Sequence, residues 1–165
     1  MGRRDDFDEF FLATHPALIR TMTVITGDPD LAADVVQDAF QRAYVRWGRI
    51  RRYDQPAAWV RRVAINQSRD VIRSEQRRRR REERMAPAEA VHDDPPDLDF
   101  EVLLDVLPPQ QRIAMTLHYL DGMAVAQVGD AMELSAGAVK YHLHEGRKRL
   151  LPLLERTRTE HGDDE

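Results

Sequence analysis

The sequence predicts an all-α protein: two small helical domains joined by a flexible acidic linker, the second containing a helix-turn-helix. Three observations carry this. Apolar residues recur at helical spacing through most of the chain, and no stretch shows the alternation of a half-buried strand. Residues 86–99, APAEAVHDDPPDLD, hold three prolines, four aspartates, one glutamate and no basic residue, the composition of a tether. Beyond them, MAVAQVGDAMELSAGAVKYHL has the small and apolar residues that two steeply crossing helices need. The boundaries follow as 1–84, 85–100 and 101–165.

FDEFFLATHPALIRTMTVITG reads as one helix, or two with a break near His15-Pro16, ended by Gly27. Asp28 then supplies an N-cap and Pro29 a first helical position. The helix from there places Val36, Phe40, Ala43, Tyr44 and Trp47 on one face, with Asp34, Gln37, Asp38 and Gln41 on or near the other. GRIRRYDQ is a basic connection and Pro56 opens the next helix. In that helix Val60, Val63, Ala64 and Val71 cluster on one side. Trp59, Arg62, Asn66, Arg69 and Arg73 line the other, with Arg61 and Gln67 intruding on the apolar side. The arginine run at 77–81 extends this helix toward solvent. Residues 1–6 and the tail after Glu155 are expected to lack fixed structure.

In the second domain FEVLLDVL is apolar at helical spacing, and Pro108-Pro109 restarts the chain. Val128, Met132, Leu134, Val139 and Leu143 can fill the wedge between the two helices of the motif. Gly129 sits where the first backs onto the second, and Ser135 is a natural N-cap. Glu133 stands at the turn, where glycine is favoured. The second helix would expose Ala136, Lys140, Tyr141 and His144, with Arg147 and Lys148 a turn further on. In such a motif that helix enters the major groove.

The net charge of −4 conceals a segregation by segment. Residues 1–84 carry a net +5, residues 85–107 carry −7, and the remainder carry −2. A nucleic-acid partner therefore suits the first segment despite the acidic total. Arginine supplies 23 of the 25 basic residues, which suits forked phosphate contacts. With no cysteine, disulfides and thiolate sites are excluded. The six histidines offer no metal-ligand spacing, since His142 and His144 lie two apart and diverge on a helix. No metal, cofactor, small-molecule substrate or catalytic constellation is expected. The absence of a signal-peptide pattern or bilayer-length apolar run makes the cytoplasm the expected location.

Taken together, these segments resemble a bacterial RNA polymerase sigma factor of the compact extracytoplasmic-function type of the sigma-70 family. GDPDLAADVVQDAFQRAY resembles the family's core-polymerase-binding helix. AWVRRVAINQSRDVIR resembles the helix that reads the upstream end of the minus-ten promoter element. LPPQQRIAMTLHYLDGMAVAQVGDAMELSAGAVKYHLHEGRKRL resembles the minus-thirty-five-binding domain. The chain departs from the family at Gln127-Val128-Gly129, where Glu-Ile-Ala is usual. It departs again at Gly137-Ala138-Val139, and at Tyr141-His142 in place of an arginine-rich recognition helix.

The resemblance implies a transcription initiation factor, not an enzyme, that binds core RNA polymerase at its clamp and flap regions and helps open promoter DNA. Asp34, Gln37, Asp38 and Gln41 would meet the clamp. Arg51, Arg52, Tyr53, Arg62, Asn66, Arg69, Asp70 and Arg73 would serve the minus-ten element. Among them Asn66 can read a base edge and the arginines can grip phosphates. Ser135, Ala136, Lys140, Tyr141, His144, Arg147 and Lys148 would serve the minus-thirty-five element. Trp59 is better suited to the core than to base stacking. The arginine run would raise affinity through counterion release, and the acidic linker could shield it when DNA is absent. The resemblance also implies an anti-sigma factor, often membrane-anchored, that clamps or separates the domains. The rival is a free-standing dimeric helix-turn-helix regulator, which would bind a palindrome without polymerase.

Overall fold

The computed structural model describes residues 2–85 and 100–160; the linker expectation for residues 86–99 falls outside them. The described residues are mainly helical, with no strand among them. The order is α1 (Arg3–Thr26), α2 (Pro29–Val45), α3 (Trp47–Ile50), α4 (Pro56–Met85), α5 (Phe100–Leu104), α6 (Pro109–Met115), α7 (Val125–Met132) and α8 (Ala136–Glu160). A π-helical segment, Thr116–Leu120, prolongs α6.

Helix α1 is unbroken at Pro16, so the expected single-or-double reading resolves to one helix. A proline there removes one backbone donor and crowds the preceding turn. Packing holds the two halves in line: Phe7 on one side of it and Leu18, Met22 and Ile25 on the other are buried in the core. Gly27 ends the helix in the left-handed region at φ 68°, a conformation that costs glycine little. Asp28 then accepts from the backbone N–H groups of Asp30 (2.9 Å) and Leu31 (3.2 Å), as an N-cap should.

The expectation of unstructured ends is corrected at both. Helix α1 begins at Arg3, where the Asp5 carboxylate accepts from Gly2 N–H and Asp6 pairs with Arg51 at 3.0 Å. Helix α8 continues past Glu155 to Glu160. The basic connection is also partly helical, as the short α3.

Helices α1, α2 and α4 pack together as the first module. Its core is aromatic at one end: Phe7 meets Tyr44 and Trp47 edge-on at 5.0 and 5.3 Å, and Phe11 meets Phe40 at 4.8 Å. Edge-to-face geometry of this kind adds specificity to burial. The core face of α4 is Val60, Ala64, Ile65, Ser68 and Ile72; Val63 and Val71, expected there, are only half-buried. The face is rotated toward the two isoleucines because α1 and α2 both pack on it.

In the second module α6 and α7 pack on α8. Arg112 is the least expected member of its core, 8% exposed. It donates to the carbonyls of Asp105 (2.8 Å) and Leu107 (3.1 Å), tying off the turn before α6, and a 3.6 Å ion pair with Asp105 helps offset its burial.

Candidate functional site

Three surfaces carry the predicted functional residues. The first is the outer side of α2. Asp34, Gln37 and Gln41 are exposed there. Asp38 is already engaged: it pairs with Arg42 at 2.8 Å and accepts a hydrogen bond from Gln67 of α4, so it ties α2 to α4. Beside these polar groups lies an apolar groove of about 900 Å³ between α1 and α2, lined by Phe7, Phe11, His15, Phe40, Tyr44 and Val45 among others. Tyr44 is 50% and Val45 76% exposed. Helical periodicity had assigned Tyr44 to the core. Nothing in the local spacing marked Tyr44 as exposed, because it lies on the same stripe as the buried Phe40 and Ala43.

The second surface is the side of α4 opposite its core face, with the loop before it. Arg51 is held by Asp6, and it and Arg52 border a cavity floored by Phe10 and Trp47. Tyr53 lies apart from these, in a separate cavity of about 400 Å³ with Trp59, Arg61 and Arg62. Trp59 packs against the hydrophobic core while remaining partly accessible. Asn66 is half-buried and its amide has no hydrogen-bond partner among the described residues, so both donor and acceptor stay available. Asp70 and Arg73 are exposed.

The third surface is the start of α8. Ser135 caps it, accepting from Ala138 N–H at 3.1 Å. Ala136, Lys140, Tyr141, His144, Arg147 and Lys148 are all exposed, while Val139 and Leu143 are buried. Arg147 donates to the Tyr119 hydroxyl at 3.0 Å. The steric logic at Gly129 is direct: a Cβ there would lie 2.7 Å from the Leu134 carbonyl oxygen. Glu133 turns the chain in the left-handed region at φ 56°.

The second and third surfaces are not independent, which the sequence did not reveal. Helix α7 packs against α4. The Arg69 guanidinium donates to the Met132 carbonyl at 2.7 Å, meeting the negative end of α7. Burial lowers the Arg69 pKa, opposed by the nearby Glu133 carboxylate. Burial likewise lowers that of His142, with Arg69 adding to it. The cavity holding Tyr53, Trp59 and Arg62 is closed on its far side by Met123, Gln127, Asp130 and Ala131. Further along, Thr21 donates to Asp121 at 2.9 Å and Arg112 reaches the Ile25 carbonyl at 3.4 Å. The packing is imperfect, for Arg62 Nε and Arg69 Nε are buried without an acceptor among the described residues, a costly arrangement.

Comparison with known proteins agrees with this architecture. Residues 10–78 match the family model described as Sigma-70 region 2, and residues 97–150 match Sigma-70, region 4. An RNA polymerase sigma-E factor of Streptomyces coelicolor is 33% identical over 159 residues, covering 91% of this chain and 86% of its own. RNA polymerase sigma factor CarQ of Myxococcus xanthus is 28% identical, with 93% and 91% covered. In fold, the chain is similar to the sigma factor RpoE of Bartonella quintana, solved in complex with the anti-sigma factor NepR. The TM-score is 0.67 at 24% identity, covering 91% of this chain and 97% of that one.

Proposed function

The chain belongs to the sigma-70 family as an RNA polymerase sigma factor of the compact extracytoplasmic-function type, and on that premise we propose how its surfaces divide the work. Asp34, Gln37 and Gln41 of α2, with the apolar groove beside them, dock the clamp of core polymerase, while the second module engages the flap. Asn66, Arg62, Arg69 and Arg73 of α4, with Arg51, Arg52 and Tyr53, engage the minus-ten element. Ser135, Ala136, Lys140, Tyr141, His144, Arg147 and Lys148 engage the minus-thirty-five element. The modules act on either side of residues 86–99.

The observation that carries this reading is the arrangement of α4. Its core face is apolar and its opposite side combines an unengaged amide with a row of arginines. The amide can pair with a base edge, and the arginines can fix position on phosphates without reading sequence. Hydrogen bonding and charge are the whole of the chemistry required, so the protein acts by positioning polymerase and not by catalysis.

The two elements are separated by about 25 base pairs, or roughly 85 Å of duplex at about 3.4 Å per pair. The longest described helix, α4, has 30 residues, about 45 Å, so modules packed through Arg69–Met132 and Thr21–Asp121 fall short of that distance. Promoter engagement therefore requires α7 to leave α4. An anti-sigma factor, membrane-anchored or free in the cytoplasm, would act by holding the modules in a non-engaging arrangement.

The test is transcription by core polymerase supplemented with the protein, with start sites and protected DNA mapped. An asymmetric, bipartite footprint that depends on polymerase supports the proposal. A palindromic footprint formed without polymerase would instead establish the free-standing dimeric regulator.

A further inference from the structure

The arginine run of α4 is two surfaces, not one. At 100° per residue, Glu75, Arg78, Arg79 and Glu82 share the side that continues the core face, and they neutralise one another. Arg78 pairs with Glu75 at 2.6 Å and with Glu82 at 3.4 Å, and Arg79 lies 3.7 Å from Glu75. Arg73, Arg77, Arg80, Arg81 and Arg84 occupy the other side, within about a third of the circumference. All are exposed, and none has an ion pair or side-chain hydrogen bond among the described residues. Their side is that of Arg62, Asn66 and Arg69, so one basic stripe, interrupted by the exposed Asp70, runs along the helix.

Like charges three and four residues apart oppose helix formation. Here the Glu75–Arg78–Glu82 network on the reverse side supports the helix that displays them. The spacing also suits a polyanion. From Arg73 to Arg84 the helix rises about 16 Å, and five guanidinium groups over that length approximate one strand's phosphates, about one per 3.4 Å of duplex axis. Moreover, the stripe is open where the reading face is not: Arg62 and Arg69 lie under α7, whereas Arg73 and the residues beyond it are exposed.

We propose that Arg73, Arg77, Arg80, Arg81 and Arg84 form a sequence-independent docking surface for the phosphates of duplex DNA adjoining the segment read by α4, available before the modules separate. The inference rests on the DNA-reading role proposed for α4. Each guanidinium offers a fork to phosphate oxygens, and displacement of counterions makes the grip strongly dependent on salt.

The experiment measures affinity of the full chain for a promoter-free duplex of about 30 base pairs across a salt series. Arg77→Gln/Arg80→Gln/Arg81→Gln/Arg84→Gln should weaken binding at least about tenfold at low salt. It should also reduce the log–log salt slope by about 3–4, near 0.9 per lost phosphate contact. Two controls should keep the wild-type slope: Glu75→Gln/Arg78→Gln on the paired side, and the equal charge change Arg3→Gln/Arg4→Gln/Arg156→Gln/Arg158→Gln elsewhere. Helicity is checked by circular dichroism. An unchanged slope in the stripe variant, or an equal fall in the second control, overturns the proposal. So does retained duplex affinity with loss of binding to polyglutamate, which would assign the stripe to an acidic protein partner. Core-polymerase affinity of the stripe variant should stay at the wild-type level. If the wild type binds no polymerase while the stripe effect persists, the polymerase reading alone falls.

Discussion

At the scale of single residues, steric and capping chemistry makes sharp predictions. Gly129→Ala puts a methyl group 2.7 Å from a backbone carbonyl that cannot yield cheaply, so a loss of about 1–3 kcal/mol is expected, read as a lower melting temperature. Asp28→Ala strips the cap from two N–H groups and should cost about 1 kcal/mol. Both residues were legible in the sequence, because a cap or a helix crossing needs a particular residue at a particular offset. Asp38 was not. Its pairing with Arg42 four residues on is local, but the tie to Gln67 crosses to another helix and cannot be read from neighbouring residues.

Asp121 adds a pH dependence at this scale. Burial raises its pKa, against the opposing hydrogen bond from Thr21 and the charges of Arg61 and Arg20. A carboxyl whose pKa is higher in the packed form stabilises packing at acid pH, and that stabilisation is lost as pH rises through the shifted value. The modules should therefore hold most tightly below the usual carboxylate range and loosen above it. Asp121→Asn should abolish this step. The distance between dyes placed on α1 and α8, followed by energy transfer across pH, checks both expectations.

At the scale of elements, α4 shows what periodicity can and cannot give. Its existence, its start at Pro56 and its polar side were readable from spacing alone. The exact core face was not, because tertiary contact with α1 and α2 selected Ile65 and Ile72 over Val63 and Val71. Nor could spacing show that Arg69, placed among DNA-facing residues, would also cap α7. Arg69→Ala removes a charge-assisted bond and should weaken module packing by about 1–2 kcal/mol. Small-angle scattering should then show a larger mean radius for the variant than for the wild type, while unaltered dimensions would mean that other contacts set the packing.

For the whole molecule, the sequence revealed two helical modules through their motifs, but not the packing of one upon the other. That packing depends on groups more than 60 positions apart, such as the Arg69 guanidinium and the Met132 carbonyl, and on an apolar core that the two modules share. It joins the two surfaces proposed to face DNA and leaves the outer side of α2 exposed, so under the proposed roles polymerase would dock before the modules part. The docking role of α2 is tested by the affinity of the full chain for bacterial core RNA polymerase, beside Asp34→Ala/Gln37→Ala. The wild type should bind, and the variant should bind at least about tenfold more weakly, equivalent to about 1.4 kcal/mol. Folded wild-type protein that fails to bind, or a variant that binds equally well, would contradict the assignment of α2 as the polymerase-docking face.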